Sequence, residues 1–308
     1  GYPTQAAARL ERCLALAQTF EHPFTLIYAL QYAAVFHQFR RDAATTLAHA
    51  DAIIALAQQH GFTYYLGWGA MLRGWAQVQQ GQPAGIVELQ QGLTNWQATG
   101  ATLARHYYYG LLADAYLTLG QPQAGLSAVA DGLATIPSSG RFWEAELYRL
   151  QGELLLRQPT TDQEAQAEAA FQQALAIARH QGAKLLELRA ICSLSSLWQR
   201  QGKVAAAHQW LQTSYGSFTE GFDTVDLQDA KTYAEWSLRR LVLFFIGGSV
   251  VILVAGMVLA RVGEALAEQT GLGATFVGAK LLATSTSLRE LSNAIAAVRL
   301  GNYNMAVG

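Results

Sequence analysis

Ala167-Glu-Ala-Ala-Phe171-Gln-Gln-Ala174 is the stretch from which the architecture of this chain can be read. A small residue, a large one four places on and a second small one three later share one face of an α-helix. Small residues one and two turns apart let a neighbouring helix approach, and the large one fills the groove between them. The same pattern recurs as Ala6-Leu10-Cys13, Ala43-Leu47-Ala50, Gly85-Leu89-Gly92, Gly125-Val129-Gly132 and Ala207-Leu211-Ser214, with successive starts 37 to 42 residues apart. So even a period marks an internal helical repeat.

Working outward, residues 1–236 hold abundant Ala, Leu and Gln with apolar residues at helical spacing, and no alternating β-branched runs. Between the repeated triplets lie partner helices with their own small and aromatic residues: Ala29–Tyr32, Gly69–Trp75, Gly110–Tyr116, Leu147–Gly152 and Ala190–Trp198. Gly81-Gln-Pro83, Gly120-Gln-Pro122 and Gly202-Lys203 punctuate the pairs, with Gly past a helix end and Pro opening the next helix. The expected fold is all-α, with about six helix pairs over 1–236 and a separate C-terminal region over 237–308.

These triplets resemble the tetratricopeptide repeat, whose second helix carries Ala-x3-Phe-x2-Ala, matched literally at Ala167, Phe171 and Ala174. The resemblance implies a right-handed superhelix that binds a protein or peptide partner on its surface. Four runs, Gly140–Leu156, Ala176–Lys184, Trp198–Gly202 and Phe218–Lys231, are similar to the C-terminal repeat region of bacterial multidomain regulators. Those regulators pair a cyclase-like or winged-helix domain with an NTPase module. The resemblance implies a sensing or interaction scaffold without catalysis, since no such module is present in these residues.

Composition narrows the classes further. At 308 residues two domains are the prior, and the formal net charge of -1 without any basic block speaks against nucleic-acid binding. Cys13 and Cys192 are far apart and fit a reducing compartment. No basic-then-apolar leader stands at Gly1, and the chain opens and closes mid-pattern, as a fragment of a longer protein would. The seven histidines show no HxxxH or HExxH spacing and read as surface or packing residues. Asp223, Asp226 and Asp229, three apart, lack the Gly and closing Glu of an EF-hand loop and read as helix-capping and first-turn acids. The aromatic residues Trp68, Trp75, Trp96 and Tyr107–Tyr109 read as inter-helix packing, with a peptide groove on the concave face as the functional alternative. Nothing assembles a nucleophile, base and oxyanion donors, so no enzyme and no cofactor are expected.

The C-terminal region is of another kind. Leu241–Ala260 is a 20-residue run without a charge, flanked by Arg239-Arg240 and Arg261. Such a run reaches about 30 Å as a helix, the thickness of a bilayer's hydrocarbon layer. A polar linker is expected over Arg261–Thr270, then a second hydrophobic helix over Gly271–Leu300 with Thr286, Glu290 and Asn293 on one face. Lipid is therefore the expected neighbour of residues 241–260 and 272–298. The chain is placed at the cell membrane, with Arg239-Arg240 putting the repeat array on the cytoplasmic side.

The segment Ser285-Thr-Ser-Leu-Arg-Glu290 and the run Ala296–Gly308 resemble the first α-repeat of the sodium/calcium exchanger superfamily of cation/Ca2+ antiporters. The resemblance makes Glu290 the cation-ligating carboxylate, Thr286 and Ser287 oxygen ligands, and Ser285 and Asn293 further polar lining, with Na+ or Ca2+ as the ion. Arg289 stands where the family has a helix-breaking Pro, and Lys280 adds a second cation. The superfamily builds its site from two inverted repeats, so exchange is expected only if further chain completes the site. The contrasting expectation is a soluble regulatory repeat module whose hydrophobic tail takes no part in transport.

Overall fold

The computed structural model describes residues 2–136, 140–158 and 162–270. Among the described residues there are twelve helices: α1 Pro3–Thr19, α2 Pro23–Phe39, α3 Ala43–His60, α4 Thr63–Gln79, α5 Gly85–Ala98, α6 Arg105–Thr118, α7 Pro122–Ala134, α8 Glu144–Leu155, α9 Gln163–His180, α10 Lys184–Arg200, α11 Val204–Tyr215 and α12 Val225–Thr270. The repeated triplets fall in the odd-numbered helices and their partners in the even-numbered ones. Local chemistry sets the boundaries. Pro3, Pro23 and Pro122 open α1, α2 and α7, where a missing N–H costs nothing. Asp42 Oδ1 caps α3 by accepting from Thr45 N at 3.0 Å. The turns expected at Gly81 and Gly120 are present, with φ of +80° and +67°, a region open to Gly at no steric cost.

The chain forms two compact units, one of Gly1–Leu197 with Trp210–Tyr233, the other of Trp198–Gln209 with Ala234–Gly308. In the first unit the packing follows the sequence pattern. Gly67, Gly74, Gly85 and Gly92 let α4 and α5 touch backbone to backbone, so that a Cβ on Gly92 would lie 2.8 Å from Met71 N. Phe171 of α9 is fully buried over Gly152 of α8. Trp75, Trp96, Tyr107, Tyr108 and Phe171 are the largest buried side chains, each contributing roughly 2–3 kcal/mol through removal of apolar area from water.

The array also turns back on itself within this unit. Phe39, at the end of α2, stacks on Trp143 beside α8 with centroids 4.6 Å apart and planes 11° from parallel. Tyr107 of α6 donates to Gln38 Oε1 at 3.0 Å. Phe39, Tyr107 and Trp143 thus form one aromatic contact that joins the ends of α2, α6 and α8.

The second unit contains the C-terminal part of α12. The linker expected over Arg261–Thr270 is instead helical, in keeping with its Ala, Leu, Glu and Gln, all strong helix formers. Between Val242 and Val258 every side chain described is uncharged and exposed, among them Val250, Val251, Ile252, Leu253 and Val254 in succession. Among the described residues no helix is long and apolar enough to cross a membrane. The second hydrophobic helix expected over 271–300 lies outside the described residues.

Candidate functional site

Charged residues on the even-numbered helices converge on one network inside the first unit. Arg189 of α10 is its centre. Its Nε donates to Asp226 Oδ1 at 3.0 Å and its Nη2 to Asp226 Oδ2 at 2.8 Å, a two-pronged grip on the first turn of α12. The same Nη2 donates to the carbonyl of Phe39, and Nη1 lies 3.5 Å from Glu146 Oε1. Glu146 is in turn held by Arg149, which donates to its two oxygens at 3.0 and 2.7 Å. Arg149 also faces Glu153 at 3.7 Å, and Glu153 accepts from Ser193 at 2.6 Å.

The network continues to the N-terminal end of the array. Arg41 donates to Asp229 Oδ2 at 2.7 Å and to Asp226 Oδ1 at 3.4 Å, and Arg40 pairs with Asp223 at 3.0 Å. Arg41 takes φ of +60°, a left-handed conformation that costs roughly 1–2 kcal/mol for a side-chain-bearing residue and that its two carboxylate partners oppose. Nearby, Gln5 donates from its backbone N and from Nε2 to the two oxygens of Glu220, at 3.1 and 3.2 Å. The start and the end of the repeat array are thus bonded to each other.

Burial and pairing set the ionisation of these groups. Burial alone would raise Glu146, but the positive charges of Arg149 and Arg189 overcome it and hold the carboxyl down at about 2. Asp114 of α6 accepts from Trp75 Nε1 at 2.8 Å and Gln79 Nε2 at 3.1 Å, yet burial raises its carboxyl above the usual range. Cys192 lies on α10 between Arg189 and Ser193. Burial, with Asp226 and Asp229 nearby, pushes its thiol to about 12 and leaves it a poor nucleophile. Each carboxylate at the centre of the network is engaged by guanidinium groups. The geometry is that of a structural lock.

Asp223, Asp226 and Asp229 do more than the helix-starting role their spacing suggests. Asp226 does lie in the first turn of α12, but all three serve as anchors for Arg40, Arg41 and Arg189. Thr224, just before the helix, turns its hydroxyl back to the Gly221 carbonyl at 2.7 Å. Among the described residues no group of His, Cys, Asp or Glu could hold a metal ion. His106 is buried edge-on to Phe142 at 4.9 Å, and burial lowers its pKa, as for a packing histidine. Sequence reading missed the arginine partners. The available signal was charge on helix faces otherwise given to the core, such as Glu146, Arg149 and Glu153 at successive turns of α8. The candidate cation ligands Thr286, Ser287 and Glu290, with Ser285 and Asn293 and their neighbours Lys280 and Arg289, lie outside the described residues.

Comparison with known proteins bears on both parts of the chain. The family model described as sodium/calcium exchanger protein matches residues 240–308. No curated protein matches the chain. Among solved structures, the crystal structure of the apo form of RapI is similar at 10% identity and a TM-score of 0.49, covering 99% of this chain and 96% of that one.

Proposed function

We propose that this chain is a helical-repeat interaction scaffold whose last described helix enters a membrane. We further propose that residues 237–308 form the opening part of a cation antiporter of the sodium/calcium exchanger type. One observation carries the membrane reading: the described side chains of α12 from Val242 to Val258 are uncharged and exposed all round the helix. At 100° per residue, the consecutive exposed residues Val250–Val254 circle it completely. A helix apolar on every side belongs in a protein core or in lipid, and these residues have no core around them. The family match beginning at residue 240 supports the same reading.

In this reading the 1–236 repeat region binds a protein or peptide partner and carries out no reaction. Glu290, Thr286 and Ser287 supply hard oxygen ligands for Na+ or Ca2+, with Ser285 and Asn293 lining the path. Transport requires a second repeat to complete the site.

Two measurements test this. After expression and alkaline carbonate extraction, the chain is expected in the membrane pellet; recovery in the supernatant overturns the membrane reading. Binding of radiolabelled Na+ or Ca2+ to the detergent-purified chain is expected to weaken roughly tenfold or more in Glu290→Gln, because one charged ligand is lost. Equal binding by the two proteins removes Glu290 from the site.

A further inference from the structure

We infer that His106 is a pH-sensitive catch at the starts of α6 and α8: uncharged, it stays buried against Phe142; protonated, it turns out to water and carries the Phe142 loop with it. His106 is the second residue of α6 and only 2% exposed. Neither its Nδ1 nor its Nε2 has a hydrogen-bond partner. Buried polar atoms are nearly always paired, so a ring with both nitrogens unmet is an exception that needs a cause.

Three features oppose a positive charge at this place. Burial takes the ring out of water, which penalises the imidazolium and spares the neutral ring. The first turn of a helix carries the positive end of its dipole, and His106 lies in that turn. Glu144 is the charged group that favours protonation, but Arg141 already donates to both of its oxygens. Arg105, next in the chain, adds a further positive charge and gives its Nη2 to the Ala101 carbonyl at 3.4 Å. The closed site suits a neutral ring.

The surroundings are built to move. Phe142 meets the ring edge-on, with centroids 4.9 Å apart, and is itself 44% exposed. Ala104, two residues before His106, takes φ of +61°, a conformation that disfavours a residue with a side chain, so release of this turn relieves strain. Neither α6 nor α8 has a side-chain cap at its N-terminus, which leaves both starts less firmly fastened. Trp143, adjacent to Phe142, stacks on Phe39 and packs edge-on to Tyr107. Outward movement of Phe142 therefore loosens the aromatic contact that ties α2 to α6 and α8.

Linkage fixes the sign. The folded value of His106 lies below the unfolded 6.5, so the closed form is fully favoured above pH 6.5 and loses ground as the pH falls. In the full chain in detergent micelles, amide protection over residues 141–147, corrected for intrinsic exchange, should fall roughly tenfold between pH 7.5 and 5.5. In His106→Phe it should stay constant over that range, with the other histidines still present as an internal control. A second measurement needs no variant. Exchange of the histidine C2 hydrogens, followed by mass spectrometry, should place the midpoint for His106 below 6.5. Constant protection in the wild type, an equal fall in His106→Phe, or a His106 midpoint at 6.5 or above overturns the proposal.

Discussion

Replacing Arg189 with alanine is expected to destabilise the repeat unit by about 3–5 kcal/mol, the usual cost of removing one partner from a buried ion pair. Arg189 is 8% exposed and Asp226 3%. The substitution strands that carboxylate and takes a donor from Glu146 and from the Phe39 carbonyl. For a unit of this size the midpoint of thermal unfolding should fall by on the order of 10 °C. Arg189→Lys should recover only part of the loss, because an ammonium cannot span both oxygens of Asp226. The control is Arg141→Ala. It removes an i,i+3 pair whose arginine is 54% exposed, and the midpoint is expected to stay close to that of the wild type, because water screens the pair. An unchanged midpoint in Arg189→Ala would show that the network contributes no net stability. The sign with pH follows from Glu146, whose carboxyl is held below its unfolded value of 4.5, at about 2. Its contribution is complete above pH 4.5 and fades as the pH falls towards 2.

The second large effect is expected at Gly74. A Cβ there would stand 2.5 Å from the Gly85 carbonyl oxygen and 2.6 Å from Leu89 N. Both are backbone atoms, so α4 and α5 must separate to admit a methyl group. Gly74→Ala should therefore cost about 3 kcal/mol, at the upper end for overpacking, and lower the thermal midpoint by roughly 6–12 °C. Gly81 offers the comparison. A Cβ there meets nothing within 4 Å, although φ is +80°, so Gly81→Ala should cost only about 1 kcal/mol through backbone strain. If the two substitutions cost the same, close approach of α4 and α5 is not what requires glycine at position 74.

The helix pairs were legible because small residues at fixed spacing leave few alternatives to close helix packing. The triplet at Ala167, Phe171 and Ala174 found its helix, and the buried Phe171 fills the place its size suggested. The hydrophobic run after Leu241 was equally visible. What periodicity could not show was where it begins: α12 starts at Val225, and its first turns belong to the repeat unit. Nor did the sequence show that Arg189 reaches Asp226, since that pairing depends on how far the array curves and not on any local spacing. The aromatic contact between α2 and the start of α8 illustrates the same limit. Trp143 and Phe39 lie more than a hundred residues apart, and only the return of the chain stacks them.

That return has a consequence for cooperativity. An open array of helix pairs is held by nearest neighbours, so it frays from its ends and can melt piecemeal. Here Arg40, Arg41 and Gln5 bond to Asp223, Asp226, Asp229 and Glu220, partners 183 to 215 residues away. The first helix pair cannot loosen without also releasing the last. Amide hydrogens of α2 should accordingly exchange at rates close to those of α6 in the middle of the array, and cutting the Arg189 tie should set the ends exchanging ahead of the centre.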